Sequence, residues 1–339
     1  MSVVKRQKVV SLENDSLVSS QNSREKLASS VLYDEAVSLA GHEGPVLSAK
    51  FSNSGNYIAS SGIDKSILLW NLPVDEQEAD PNFGVLSGHR SAVTSISWLI
   101  DDSTIVSSSA DSTVGYWDAE TGTRIRKCNG HRAVVNQVSV SSDGTAVSVG
   151  DDGTAFLWDV REKNAIGHVS GEYPLLTTTF DQKGHTIFFS GIDPTIRVHD
   201  IRRLDKELWN CSAQIEAITS LAINNDDSVL VARSMDGSIK TYSAKEYIPE
   251  GISRVSPYVY EGAPSGSEFQ LIRSVFSTDN ITIYSGSEDK TITAWDFASR
   301  KITNKYTGHE GTVIDVDYNT KYRVVLSSST DGTVIVREV

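Results

Sequence analysis

Histidine, serine and aspartate recur as a set along this chain. His42 goes with Ser60 and Asp64, His89 with Ser107 and Asp111, His131 with Ser148 and Asp152, and His309 with Ser327 and Asp331. Such a trio could activate a serine nucleophile, with His as base and Asp orienting it. Two features argue otherwise. The trio comes in several copies, which suits a structural device and not a single active site. No Gly-x-Ser-x-Gly elbow presents a serine at a strand-to-helix turn. Metal chemistry lacks its signatures too. There is no His-Glu-x-x-His and no Cys-x-x-Cys, and the seven histidines are scattered. No Gly-x-x-x-x-Gly-Lys loop offers a phosphate cradle. No catalytic, metal or cofactor-binding residue is expected, and no small-molecule substrate.

The elements that must position these residues follow from their spacing. Gly-His occurs at 41–42, 88–89, 130–131 and 308–309, and the first intervals are 47 and 42 residues. A period of that size marks a repeat architecture. His42 reaches Trp70 after 28 residues, His89 reaches Trp117 after 28, and His131 reaches Trp158 after 27. Glu268 precedes Trp295 by 27, and His309 precedes Arg337 by 28. Two weaker copies fill the gap, Glu172 to His199 and Gln214 to Tyr242, which makes seven repeats. An Asp stands six residues before each of these ends: Asp64, Asp111, Asp152, Asp193, Asp236, Asp289 and Asp331. A Ser stands four residues before five of the Asp (Ser60, Ser107, Ser148, Ser285, Ser327). Phe189 and Ala232 take that place in repeats four and five.

Between the markers the chain reads as short strands. Residues 46–51, 57–61 and 66–70 are rich in β-branched and aromatic types, with turn residues between them. Asp152-Gly153, Asp236-Gly237 and Asp331-Gly332 are tight turns in which Gly tolerates positive φ. No stretch holds a 3.6-residue period, so helix should be nearly absent. Lys and Arg number 31 and Asp and Glu 44, a net charge of −13. The first thirty residues carry +2, which leaves −15 on residues 31–339. That surface repels a phosphate backbone, so broad nucleic-acid binding is not expected. No purely apolar run exceeds four residues, which argues against a membrane helix or signal-peptide core. Two cysteines, Cys128 and Cys211, make no disulfide framework and fit a reducing compartment.

Strands in fours, repeating every 41 residues or so between Gly-His and Trp-Asp markers, resemble the WD-repeat β-propellers. The resemblance covers residues 31–339 and implies an all-β, seven-bladed propeller behind a disordered tail, residues 1–30. It also implies hydrogen-bonded tetrads His42–Ser60–Asp64–Trp70, His89–Ser107–Asp111–Trp117 and His131–Ser148–Asp152–Trp158. Partial sets would be Ser285, Asp289 and Trp295 in blade six, and His309, Ser327 and Asp331 in blade seven. Blades four and five should rely more on apolar packing. Residues 36–40 stand where the other blades have an outer strand and should pair with 333–338 to close the ring.

Three segments do not repeat. The tail is Ser-rich and carries the basic cluster Val4-Lys5-Arg6-Gln7-Lys8. The link at 71–82 is acidic, with Asp75, Glu76, Glu78 and Asp80. The link at 245–269 holds Tyr247, Tyr258, Tyr260 and Phe269, contact candidates unless they extend an outer strand. Propellers meet partners mainly over the face of d–a links and b–c turns. The residue before each turn Asp should look out on that face: Ile63, Ala110, Asp151, Ile192, Met235, Glu288 and Thr330. Ile63, Ile192 and Met235 are apolar there, which points to protein contact. Arg90 and Arg132 add guanidinium donors.

Ser38-Leu39-Ala40-Gly41-His42-Glu43-Gly44, Ile67-Leu68-Leu69-Trp70-Asn71, Trp158-Asp159-Val160-Arg161-Glu162-Lys163 and Ser190-Gly191-Ile192-Asp193 are similar to one subfamily. It comprises the 40-kilodalton WD-repeat subunits of the spliceosomal U5 small nuclear ribonucleoprotein. His199 and Tyr242 depart from it, where that subfamily usually has Trp. The likeness implies a nuclear, non-catalytic scaffold of pre-mRNA splicing, a monomer within a large complex, with no membrane role. Its implied partners are the large U5 scaffold protein, the elongation-factor-like GTPase and the RNA helicase of the particle, and RNA only indirectly. The alternative is a substrate receptor of a cullin-type ubiquitin ligase. Trp158-Asp159-Val160-Arg161 and His199-Asp200-Ile201-Arg202 resemble the Trp-Asp-x-Arg boxes of those receptors.

Overall fold

A computed structural model describes Leu32 and residues 35–72, 81–212, 214–266 and 270–339. The expectations for residues 1–30, for the acidic residues 75–80, and for Glu268 and Phe269 lie outside them. The described residues contain no helix, and their strands form seven four-stranded antiparallel sheets. The fold is a seven-bladed β-propeller. In blade one, strands a to d are Val46–Phe51, Tyr57–Gly62, Ser66–Asn71 and Asn82–Ser87, from the channel outward.

Burial follows residue type. Strand b of blade two, Thr104–Ser109, is buried at all six positions, whereas most of outer strand Arg124–Asn129 meets solvent. Small and β-branched residues thus take the middle of each blade, and charged residues mark its open edge. Alternation along a strand sends side chains to the two neighbouring blades in turn. Ile58, Leu68 and Trp70 face blade seven, whereas Ala59, Ile67 and Leu69 face blade two. Apolar layers of this kind lie between neighbouring blades all round the ring. Trp70, Trp117, Trp158 and Trp295 each lie in the layer shared with the preceding blade.

Blade seven draws on both ends of the chain. Ala36–Ala40 pairs antiparallel with Thr333–Glu338, from Ala36 opposite Arg337 to Ala40 opposite Thr333. The ring is therefore closed by hydrogen bonds between residues about three hundred positions apart.

The inner strands tie blades together at the channel. In six blades strand a bulges near its start, which turns one side chain toward the next blade. Thr94 Oγ1 donates to the Val135 carbonyl at 2.5 Å, Asn136 Nδ2 to Leu175 O at 2.8 Å, and Thr219 Oγ1 to Ile272 O at 3.0 Å. Across the channel Arg273 donates to Ser95 Oγ at 3.0 Å and to the Thr94 and Asn136 carbonyls at 3.2 Å. It also lies 3.5 Å from Asp315, which accepts from Ser48 at 2.7 Å and from Lys50 at 2.9 Å. Burial works to raise the Asp315 pKa, but the charges of Lys50 and Arg273 outweigh it and hold the carboxyl below its ordinary value. The rest of the channel is a polar cavity of about 380 Å³ lined by Ser97, Gln137, Ser139 and Thr179 among others.

Candidate functional site

The d–a links and b–c turns form one face of the ring, and the His and Asp side chains sit just beneath it. In blade one, His42 Nδ1 is 2.8 Å from Asp64 and its Nε2 is 2.8 Å from Ser60 Oγ. Trp70 Nε1 donates to the same hydroxyl at 2.9 Å. The partners fix the proton positions: Nδ1–H donates to the carboxylate, and Nε2 accepts from the serine. Blade two repeats this at 3.1, 2.8 and 2.7 Å for His89, Ser107, Asp111 and Trp117. Blade three does so at 3.0, 2.8 and 2.8 Å for His131, Ser148, Asp152 and Trp158. Blade seven keeps His309 with Ser327 at 2.8 Å and with Asp331 at 3.2 Å, and Thr333 joins them.

Each Asp also receives amides of the face. Arg90 N donates to Asp111 at 2.9 Å and Arg132 N to Asp152 at 2.8 Å. Burial raises the pKa of Asp64, but the His42 hydrogen bond and charge with the Ser66 and Glu43 amides outweigh it and bring it to about 2. Asp111 reaches about 2 in the same way, through Arg90 N, Thr113 and His89 against burial. Burial lowers the pKa of His89 and His131, and their Asp partners offset this only in part. The order Asp–His–Ser is that of a hydrolase, yet Ser60, Ser107, Ser148 and Ser327 are fully buried. In blades one to three the hydroxyl already holds an indole N–H. No substrate carbonyl reaches these oxygens.

Blade six corrects the sequence reading. Ser285, Asp289 and Trp295 keep the spacing but are not brought together. Trp295 Nε1 donates to the Glu261 carbonyl at 2.9 Å, and Asp289 holds Thr291 and Lys305 Nζ, the latter at 3.1 Å. Ser285 Oγ instead accepts from Arg233 Nη1 at 2.9 Å. Arg233 comes from strand b of blade five, faces forward into blade six, and also reaches Ala263 O and Ser265 Oγ. It is fully buried, and burial lowers its pKa to about 10 against the pull of Asp236, Glu288 and Asp289. Spacing within one repeat could not reveal it, because it acts across the blade boundary. Its one signal is an Arg where blades one, two, four and seven have Ser61, Ser108, Ser190 and Ser328.

Blades four and five hold their turns differently. Asp193 pairs with Arg197 at 2.6 Å, and Phe189 stacks on His199 with ring centroids 5.5 Å apart. Gln214 donates to Ala232 O at 3.1 Å and accepts from Ser238 at 3.2 Å. Tyr242 is buried in one apolar layer with Leu230 and Ile218.

The proposed contact residues are spread over the ring. Ile63 is 49% and Ile192 51% exposed, Arg90, Arg132 and Asp151 are exposed, and Ala110, Met235 and Glu288 are half-buried. Asp151 accepts from Asn136 at 2.7 Å. Tyr247 is exposed between strands c and d of blade five, Ile239–Ser243 and Val255–Tyr260, so residues 245–254 are an insertion within that blade and not a link to the next. Tyr258 is exposed under the Arg300 guanidinium. Tyr260 is a correction: it is 3% exposed. It ends the outer strand Val255–Tyr260, packs edge-on against Trp295, and its hydroxyl donates to Phe297 O at 3.1 Å. Its place in the layer between blades five and six removes it from any surface. Arg161 and Arg202 are both exposed, and Asp200 clamps Arg202 at 2.7 and 3.0 Å. Tyr173 and Ile215 also lie on the loop face, each one residue after the histidine position of its repeat, the place that Arg90 and Arg132 hold in blades two and three. Among the described residues no group of three His, Cys, Asp or Glu is arranged to hold a metal ion.

The family model described as "WD domain, G-beta repeat" matches residues 34–71, 82–118, 122–159, 206–243, 259–296 and 300–337. The chain belongs to the WD40 repeat family. The gap between its third and fourth matches, 160–205, holds strands a to c of blade four, the blade with Glu172, Phe189 and His199. Among curated relatives, this WD40 chain is 34% identical to the "Pre-mRNA-splicing factor cwf17" of Schizosaccharomyces pombe, over 88% of this chain and 86% of the relative. It is 32% identical to the human "U5 small nuclear ribonucleoprotein 40 kDa protein", over 89% and 83%. The Dictyostelium discoideum protein of that name is 30% identical, over 89% and 83%.

Proposed function

We propose that this WD40 propeller is a nuclear, non-catalytic scaffold subunit of the U5 small nuclear ribonucleoprotein, acting in pre-mRNA splicing through protein contacts. One observation carries the scaffold reading. The histidines, serines and carboxylates that could do chemistry are spent on one another, and the face above them offers Ile63, Ile192 and Met235 on blades one, four and five and Arg90 and Arg132 on blades two and three. That is contact chemistry: apolar anchors and guanidinium donors on one face. The relatives' names support the particle. The partners we assign are the large U5 scaffold protein, the elongation-factor-like GTPase and the RNA helicase. RNA is reached through them, because the body carries −15 and its phosphate attraction is correspondingly poor.

The test has two arms. Tagged full-length protein drawn from nuclear extract should bring U5 RNA and the large scaffold protein together. The purified chain alone should show little affinity for U5 RNA at moderate salt. Tight binding of the purified chain to RNA would overturn the indirect mechanism. Recovery of a ubiquitin-ligase adaptor in place of splicing proteins would move the assignment to the ligase class, where Arg161 and Arg202 become the residues to reverse.

A further inference from the structure

The loop face is not uniform. Over blades four and five it carries four apolar side chains on consecutive loops. Tyr173 lies in the link into blade four and is 50% exposed, and Ile192 lies in that blade's b–c turn. Ile215 lies in the link into blade five and is 88% exposed, and Met235 lies in that blade's turn. Hydrogen bonds hold the loops together. Ile192 N donates to Pro174 O at 3.1 Å, Met235 N to Ala217 O at 2.8 Å, and Ser234 Oγ to Glu216 O at 3.2 Å. Thr195 pairs with Ser212, so the link carrying Ile215 leaves blade four beside the turn that carries Ile192. An isoleucine that exposed, with apolar neighbours on the adjoining loops, is more than scattered surface hydrophobicity.

Two carboxylates frame the patch, and the fold explains one of them. Glu172 stands where blades one to three have the tetrad histidine. It cannot donate to Asp193, which takes Arg197 instead, so Glu172 stays exposed. Glu216 is exposed beside Ile215. Neither carboxylate has a Lys or Arg partner within ion-pair distance among the described residues. The cation at the patch, Arg197, is paired with Asp193, and further guanidinium groups of the face are Arg90 and Arg132 of blades two and three.

The geometry points to this patch as the docking site for a segment of a partner protein in which apolar side chains are interspersed with lysines or arginines. The apolar anchors would cover Tyr173, Ile192, Ile215 and Met235. The cations would meet Glu172 and Glu216, steering the encounter and fixing its register. An acidic segment or an RNA strand would be repelled here. This docking site rests on the scaffold reading and gives it a partner chemistry.

The test uses the purified full chain and labelled twelve-residue peptides, read by fluorescence anisotropy. One probe alternates Leu with Lys, and the other alternates Leu with Glu. The Leu/Lys peptide should bind at least tenfold tighter than the Leu/Glu peptide. The pair Glu172→Lys with Glu216→Lys should weaken it at least tenfold, and so should Ile215→Ser alone. The pair Glu120→Lys with Asp205→Lys, the same charge change on exposed residues away from the patch, should leave affinity within about twofold. Failure of the Leu/Lys peptide to bind, equal binding of both peptides, or an equal loss in the two charge-reversed pairs would overturn the proposal. The assay contains no splicing component, so its failure leaves the particle assignment standing, and loss of that assignment leaves the peptide result unchanged.

Discussion

Blades two and four share one sheet topology and answer one problem in different ways. Each must hold a turn over a buried sheet edge. Blade two does it with a closed polar set: His89, Ser107, Asp111 and Trp117 satisfy one another. Blade four does it with a stacked Phe189–His199 pair beneath and a half-exposed Asp193–Arg197 ion pair above. The polar set is all-or-nothing, because removing one member strands the others in a low-dielectric layer. The stacked pair leaves its face open. It is the blade-four arrangement that frees Glu172 for solvent. A sealed polar set in one blade and exposed chemistry in the other are two outcomes of the same position.

The indoles should matter most. Trp117→Ala empties a fully buried site between blades one and two and removes the indole N–H that donates to Ser107 Oγ. It should cost roughly 3–5 kcal/mol. His199→Ala, at the same position of blade four, should cost clearly less, since His199 is smaller and its polar link is one bond to Leu204 O at 3.1 Å. Chemical denaturation of the two variants measures the difference, and equal costs would mean that the two blades depend on this position alike.

Next comes the carboxylate. Asp111→Ala leaves His89 and the Arg90 and Thr113 amides without their acceptor, at about 1–3 kcal/mol. Asp193→Ala releases a half-exposed pair whose worth is nearer 0–1 kcal/mol. Melting temperatures should therefore fall further for Asp111→Ala. Equal falls would mean that turn amides alone account for the Asp.

Acid should act on the same groups. The pKa values of His89 and His131 are depressed, so below about pH 6.5 the unfolded chain binds protons that the native state does not. Asp64 and Asp111, at about 2, contribute stability that is full above the unfolded value near 3.9 and is lost as pH falls toward 2. Thermal melts should show Tm falling from pH 7 to 5 and falling faster below 4. Asp111→Asn should flatten the lower limb, because one titrating carboxylate is gone. A Tm independent of pH between 7 and 3 would count against the tetrad's protonation states.

Surface substitution should matter least. Ile215→Ser should change stability by no more than about 0.5 kcal/mol, because the side chain packs against little. A large loss would show that the patch is structural and not a free contact surface.

How much of this is legible in the sequence depends on where partners lie. The seven repeats follow from spacing, and the ring and the first three tetrads from the family resemblance that this spacing carries, because Trp117, Asp111, Ser107 and His89 belong to one repeat. Arg233 and Arg273 are invisible to that logic. Each acts on other blades, and a period says nothing about contacts across its own boundary. Ser285 and Trp295 keep the spacing and lose the geometry, because Arg233 and the Glu261 carbonyl reach them instead. Tyr260 shows a different gap. Its neighbours Tyr258 and Val259 are exposed, and only the packing of blade six over the strand end buries it. Ile215 follows Gln214 as Arg90 follows His89, so its place on the loop face is legible from the repeat, whereas its 88% exposure is not.

On this reading the propeller joins the U5 particle through the apolar side chains of its loop face. Wild type and the triple variant Ile63→Asp, Ile192→Asp and Met235→Asp, each drawn from nuclear extract with its U5 RNA quantified, decide the matter. These residues flank turns and lie at or near the surface, so the ring should keep its melting temperature to within a few degrees. Recovered U5 RNA should fall at least fivefold. A folded triple variant that brings down as much U5 RNA as wild type would show that the loop face does not make the connection.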